Sequence, residues 1–226
     1  MAALWEAGVL GTEADIAVRV PADDEIRPDP GRGEVVLFVD HLERGLALPV
    51  SPFFRQFLDY FNLQPHHLGA NSIAQLSFFA TLYEAYLGIR PSLDLFCRFF
   101  FIRGRQKSFA DGRTEPVDCG SAVVYKRPKS VLLAFKTLDS IKGWQRTYFY
   151  VRNKKSDEDR VGLPAFSFAP SSKANWDGKG RPGDKDVDAM VRRVDEMVKE
   201  GLQAADLTIC WLYRRVCPLQ SRAHKI

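Results

Sequence analysis

Eleven of the sixteen phenylalanines fall between Glu34 and Ile102 (Phe38, Phe53, Phe54, Phe57, Phe61, Phe78, Phe79, Phe96, Phe99, Phe100 and Phe101), and Phe109 follows just beyond. A buried aromatic ring of this kind removes on the order of 150–250 Å² from water, so wherever these rings converge the rest of the chain must pack around them. No other stretch has enough large apolar side chains to seed an interior. With 226 residues the chain suits one large or two small domains, and a domain of that size hides roughly 70% of its unfolded surface. It can build a core without disulfide or metal staples.

Four cysteines (Cys97, Cys119, Cys210 and Cys217) lack close pairing, and the first twenty residues lack the basic, apolar, small-residue order of a secretory leader. Free thiols in a reducing intracellular compartment, nuclear or cytoplasmic, are the expectation. The richest apolar run is interrupted by Asp94 and Arg98, so no membrane partner is expected.

Along the chain, residues 1–33 read as a flexible N-terminal arm, ending in Arg27-Pro28-Asp29-Pro30-Gly31-Arg32-Gly33, where proline and glycine oppose regular structure. Only Trp5–Leu10 and Ile16–Val20 offer apolar residues with which it could dock. Glu34–Asp40 is a short β-branched and aromatic run that reads as a buried strand. Ser51 before Pro52 is an N-cap followed by proline at the first helical position. The helix it opens carries Phe53, Phe54, Phe57, Leu58 and Phe61 on one face and stops at Asn62. Asn71-Ser72 is expected to cap a second helix from Ile73 to Leu87, closed by Gly88. From Leu93 to Phe101 the pattern is double. Ser92 as a cap and Asp94 four residues before Arg98 favour helix, while the alternation Leu93, Leu95, Cys97, Phe99, Phe101 fits a strand; helix is preferred.

Beyond Arg103 the character turns to β. Ala122–Tyr125 and Val131–Phe135, on either side of Lys126-Arg127-Pro128-Lys129, read as two strands joined by a basic turn. Trp144–Val151 reads as another, with Trp144, Arg146, Tyr148 and Tyr150 on one face. Trp176 sits in a polar loop and is expected to be exposed. A last amphipathic helix is predicted from Asp186 to Lys199. The tail after Leu212 is basic and lacks a cap, as if the natural chain or its ancestor had continued. The expected fold class is α+β: a Phe-rich helical half packed with a small antiparallel sheet and a C-terminal amphipathic helix, with boundaries at 1–33, 34–152 and 153–226.

The run from Gly45 to Phe101 carries a recognisable pattern. Gly45 and Pro49, Ser51-Pro52-Phe53-Phe54, Leu58, Asn71-Ser72-Ile73, Phe79, Glu84-Ala85-Tyr86-Leu87-Gly88-Ile89 and Pro91-Ser92-Leu93, with Gly143-Trp144 and Tyr148-Phe149-Tyr150-Val151 further on, resemble the gypsy-type transposon domain found in many plant proteins. Members are described as retrotransposon-derived or as transposases. The resemblance spans residues 34–152 and rests on caps, turns and core rings. It implies descent from a mobile element and supplies no catalytic residues.

Specific chemistries find no clear pattern. A strand-transfer enzyme of transposase or integrase type needs three carboxylates around two divalent ions. Asp40, Asp59, Glu84, Asp94, Asp118 and Asp139 are available, but no spacing singles out three. Val117-Asp118-Cys119-Gly120 departs from the aspartic-protease turn by placing cysteine where a hydroxyl is needed, and reads as a plain turn. Cys210 and Cys217 have no histidine between them and His66-His67 no cysteine nearby, so a zinc knuckle is not expected; the two histidines read as loop surface. Nucleophile-elbow and phosphate-loop motifs are absent. No catalytic residue, metal or cofactor is assigned.

Charge gives the remaining lead. Residues 1–62 hold five basic and eleven acidic side chains, whereas residues 103–155 hold thirteen basic and four acidic, a local net of +9 in a chain of +4. Such concentration favours a polyanionic partner. Arg103, Arg105, Lys107, Lys126, Arg127 and Lys129, with the strand aromatics Trp144, Tyr148 and Tyr150, are the candidates for phosphate neutralisation and base stacking on DNA or RNA. The expectation is a non-enzymatic, retrotransposon-derived packaging or scaffold-like domain, binding nucleic acid or associating with itself. The alternatives are a strand-transfer enzyme or a host protein-interaction module.

Overall fold

Ser51 and Pro52 start the first long helix as expected. Ser51 Oγ accepts the Phe54 N–H at 3.2 Å, helix α3 runs Pro52–Phe61, and Asn62 ends it in the left-handed conformation at φ 49°. Two shorter helices precede it, α1 (Ala2–Glu6) and α2 (Val39–Leu42). All five apolar residues assigned to the α3 face are buried. The computed structural model describes residues 2–6, 8–117, 119–128, 130, 143–155, 161–164, 166, 175–180 and 183–216.

Helix α4 (Ala70–Thr81) begins earlier than its expected cap, with Gly69 at the N-cap position. Ser72 lies inside it, 2% exposed, and its Oγ accepts the Val124 N–H at 3.2 Å. A hydroxyl that looked like a local cap is used to hold a distant strand. The helix widens into a π turn over Leu82–Leu87 and stops at Gly88, φ 67°, a conformation glycine adopts without steric cost. In the doubly readable stretch the helix prevails, and only Phe100 and Phe101 at its end enter a strand. Helix α5 (Leu93–Phe99) is capped by Ser92 Oγ, which accepts the Leu95 N–H at 3.3 Å, and strand β3 (Phe100–Gly104) follows directly.

The strands form small antiparallel sheets. Strands β1 (Ile16–Arg19), β2 (Val35–Phe38) and β7 (Tyr148–Asn153) lie in the order β1-β7-β2. Strand β6 (Ala122–Lys126) pairs with β3, and β4 (Gln106–Ser108) with β5 (Thr114–Pro116). The hairpin partner expected at Val131–Phe135 lies outside the described residues. Trp144 belongs to a short 3₁₀ turn, Trp144–Arg146, entered through Gly143 at φ 83°, so the expected alternation holds only from Tyr148. The N-terminal arm docks where its apolar residues are: Val9 and Leu10 are buried, the Leu48 N–H donates to Val9 O at 2.6 Å, and Ile16–Arg19 supplies an outer strand. Arg19 Nη2 lies 2.8 Å from the Glu34 carboxylate and Nη1 3.3 Å from that of Glu25.

Phe96 is the hub of the core, with its ring 5.2 Å from Phe57, 5.6 Å from Phe79 and 5.1 Å from Phe100, centroid to centroid. Helix α6 (Lys185–Lys199) is capped by Asp184, buries Val187 and Val194, and is tied to α5 by the Arg98–Asp188 ion pair. Helix α7 (Ala204–Trp211), which the sequence reading did not anticipate, docks on α4: Trp211 stacks on Phe78 at 4.6 Å and donates its indole N–H to Ser77 Oγ at 2.9 Å. Trp176, expected to be exposed, is buried and donates to Phe61 O at 3.2 Å. His66 and His67, expected on a loop surface, are also buried, in a single 3₁₀ turn with Pro65. The fold is α+β with a Phe-rich helical centre. Among the described residues, no helix is long and apolar enough to cross a membrane.

Candidate nucleic-acid interface

Strand alternation sorts the β3–β6 ribbon into two faces. Phe100, Ile102, Ala122 and Val124 are buried in the core, which turns Phe101, Arg103, Val123 and Tyr125 the other way. Phe101 is registered opposite Tyr125, and Arg103 opposite Val123. The Phe101 and Tyr125 rings lie 5.9 Å apart at an interplanar angle of 36°. The Arg103 guanidinium sits 5.5 Å from the first ring and 5.7 Å from the second, within the range where a ring's negative face attracts a cation. Tyr125 remains 45% exposed. The ribbon therefore presents a pair of tilted rings beside a positive charge.

Cations continue along the chain from this point. Arg105 is exposed and its backbone N–H donates to Ser121 O at 2.7 Å, carrying the pairing one step past the ribbon. Lys107, exposed on β4, lies 4.8 Å from the half-buried Phe109 ring, and Arg113 approaches the same ring at 5.4 Å. Arg113 is paired with Asp111 at 2.7 Å. Among the described residues Arg103, Arg105 and Lys107 make no ion pair, so their charges are open to solvent.

The other predicted residues divide sharply. Lys126 is exposed, with Nζ 3.4 Å from Ser130 O. Arg127 is a strut: Nε donates to Cys97 O at 2.7 Å, Nη2 to Gly178 O at 2.6 Å, and Nη1 to the Asp177 carboxylate at 3.1 Å. It fastens the 175–178 segment to the end of α5. Lys129 lies outside the described residues. Trp144 and Tyr148 are interior, at 6% and 7% exposure: Trp144 meets Phe38 edge-on at 4.8 Å, and the Tyr148 hydroxyl donates to Glu25 O at 2.8 Å. Tyr150 is fully buried, with the Arg19 guanidinium 3.7 Å above its ring. Among the described residues, the rings that face solvent beside the cations are Tyr125 and, in part, Phe101 and Phe109. The alternation in 100–104 and 122–126 is the signal for Phe101 and Tyr125, but it becomes readable only once β3 is known to pair with β6.

Three histidines, His41, His66 and His67, are buried near Trp144 and Phe166. His41 Nε2 is 3.0 Å from Leu68 O, and the His66 and His67 rings lie 4.1 Å apart. Burial lowers the pKa of His41 and of His66 to about 3, the latter helped by His67. Among the described residues no three His, Cys, Asp or Glu side chains are grouped so as to hold a metal ion. Among the described residues Cys97, Cys119 and Cys210 form no disulfide.

Helical centre and outward ribbon together define an α+β domain. Residues 35–104 match the family model described as "Putative gypsy type transposon", which bears out the resemblance carried by Gly45–Phe101. The matched segment runs from β2 through the helical centre to the end of β3, so Phe101 and Arg103 fall inside it and Tyr125 outside. No curated protein and no solved structure matches the chain.

Proposed function

We propose that this chain is a non-enzymatic, transposon-derived packaging or scaffold-like domain that binds nucleic acid through the β3–β6 ribbon and the adjoining β4 strand. The observation that supports this reading is the Arg103 guanidinium beside two outward rings, followed by Arg105 and Lys107, all exposed and without ion pairs among the described residues. The local charge of +9 over residues 103–155 supplies a field that attracts phosphates before contact. Each phosphate neutralised releases counterions, so affinity falls with salt at a slope of about −0.7 to −0.9 per contact.

The test is retention of the purified protein on immobilised nucleic acid across a salt series. Wild type binds at ~50 mM salt and weakens steeply towards ~200 mM. Replacing Arg103, Arg105 and Lys107 together by alanine flattens the log–log slope by about 2 and leaves the circular dichroism spectrum unchanged, because all three are exposed. Absence of binding at ~50 mM salt overturns the proposal.

A further inference from the structure

The outward ribbon also distinguishes which form of nucleic acid fits it, an inference that rests on the binding reading above. We infer that the ligand is single-stranded, with an unpaired base stacked on Tyr125.

In a duplex the faces of the bases are covered by their neighbours, and a protein ring on a strand surface meets only sugar and phosphate. A single strand can turn its bases outward onto an aromatic platform, and sheet-borne rings commonly stack two or three of them. Tyr125 is the exposed ring in question, at 45%. That exposure leaves ring surface open to solvent, and its partner across the ladder, Phe101, is tilted by 36° at 5.9 Å and not stacked in parallel on it. Arg103 lies at similar distances from the two rings, 5.5 and 5.7 Å, where it can meet the phosphate of the stacked nucleotide. A duplex reader relies on a broad array of phosphate contacts, often six to ten. Along β3 and β4 the described cations without an ion pair are Arg103, Arg105 and Lys107, within five residues of chain, a reach that suits a short stretch of flexible strand. The shared chemistry is an unpaired base on a phosphodiester backbone, whether ribose or deoxyribose.

Fluorescence anisotropy with labelled 12-nucleotide oligothymidylate, 12-nucleotide oligouridylate and a 12-base-pair duplex, at ~50 mM salt, tests this. Wild type binds at least one of the single strands more tightly than the duplex. Tyr125→Ala weakens single-strand binding by roughly 5- to 150-fold and changes duplex binding by less than about twofold, while Tyr125→Phe, which keeps the ring, restores single-strand affinity. Thymidylate preference and uridylate preference both support the inference. Equal affinity for duplex and single strands, or a Tyr125→Ala protein that binds single strands like wild type, overturns the single-strand inference while leaving nucleic-acid binding intact. Failure of wild type to bind all three probes removes the binding reading and this one with it.

Discussion

His41 is enclosed by aromatic rings, with Phe38 at 5.1 Å and Trp144 at 5.2 Å, and the charged group that acts on it is Arg44, of the same sign as its own protonated form. Both His41 and His66 must stay neutral for the core to close. Their folded pKa values of about 3 lie below the ordinary 6.5, so between those limits the unfolded chain binds more protons and acid favours unfolding. Stability is therefore fully present above pH 6.5 and falls as pH drops towards 3, with a slope of up to about 1.4 kcal/mol per pH unit for each histidine. The stabilisation of Glu34, held below the usual carboxylate range by its hydrogen bond from Arg19, is present above the ordinary carboxylate pKa of 4.5 and is lost only as pH falls below it. Urea midpoints measured from pH 7.5 to 5 isolate the histidines, and a flat profile there contradicts the assignment. Arg127 gives a second prediction at this scale. Arg127→Ala removes the donor shared by the Cys97 and Gly178 carbonyls and costs ~1–3 kcal/mol in denaturant unfolding. Lysine recovers little of it, since one ammonium cannot reproduce the fork of a guanidinium.

Among the elements, those governed by local chemistry were legible in the sequence. Ser51-Pro52 and Asn62 bracket α3, Gly88 ends the second helix, and α6 begins within a residue of its expected start. What was not legible depended on partners far away in sequence. Ser72 looked like a cap because its hydroxyl could satisfy a helix N-terminus. It serves Val124 instead, 52 residues on. Ser72→Ala leaves that buried N–H unpaired and is expected to destabilise by ~1–3 kcal/mol, with faster amide exchange at Val124 than in wild type; unchanged exchange argues against the bond. Trp144 and Tyr148 carried the composition of a stacking surface, and only their packing against Phe38, far away in sequence, makes them interior. Helix α7 escaped notice because its mixed residues give little periodicity until Trp211 is seen against Phe78.

At the scale of the molecule, the family-matched segment and the folded unit differ in extent. The match ends at residue 104, yet the main core cluster draws on residues from Val9 to Leu207. Within the matched segment β2 has its partner in β7 and β3 has its partner in β6, both supplied from further along the chain. A fragment of residues 35–104 alone is therefore expected to lack a cooperative thermal transition, since two strands lose their ladders and the apolar face of α4 loses α7. A sharp calorimetric transition for that fragment rules this out.

Because β1 and β2 both pair with β7 and not with each other, two strands emerge from the ribosome well before the one that joins them. About 110 residues separate Phe38 from Tyr148, and at 5–20 residues per second their synthesis takes on the order of 5–20 s. Throughout that interval the nascent chain displays Val35-Val36-Leu37-Phe38 as an unsatisfied adhesive edge, the kind of surface that chaperones shield.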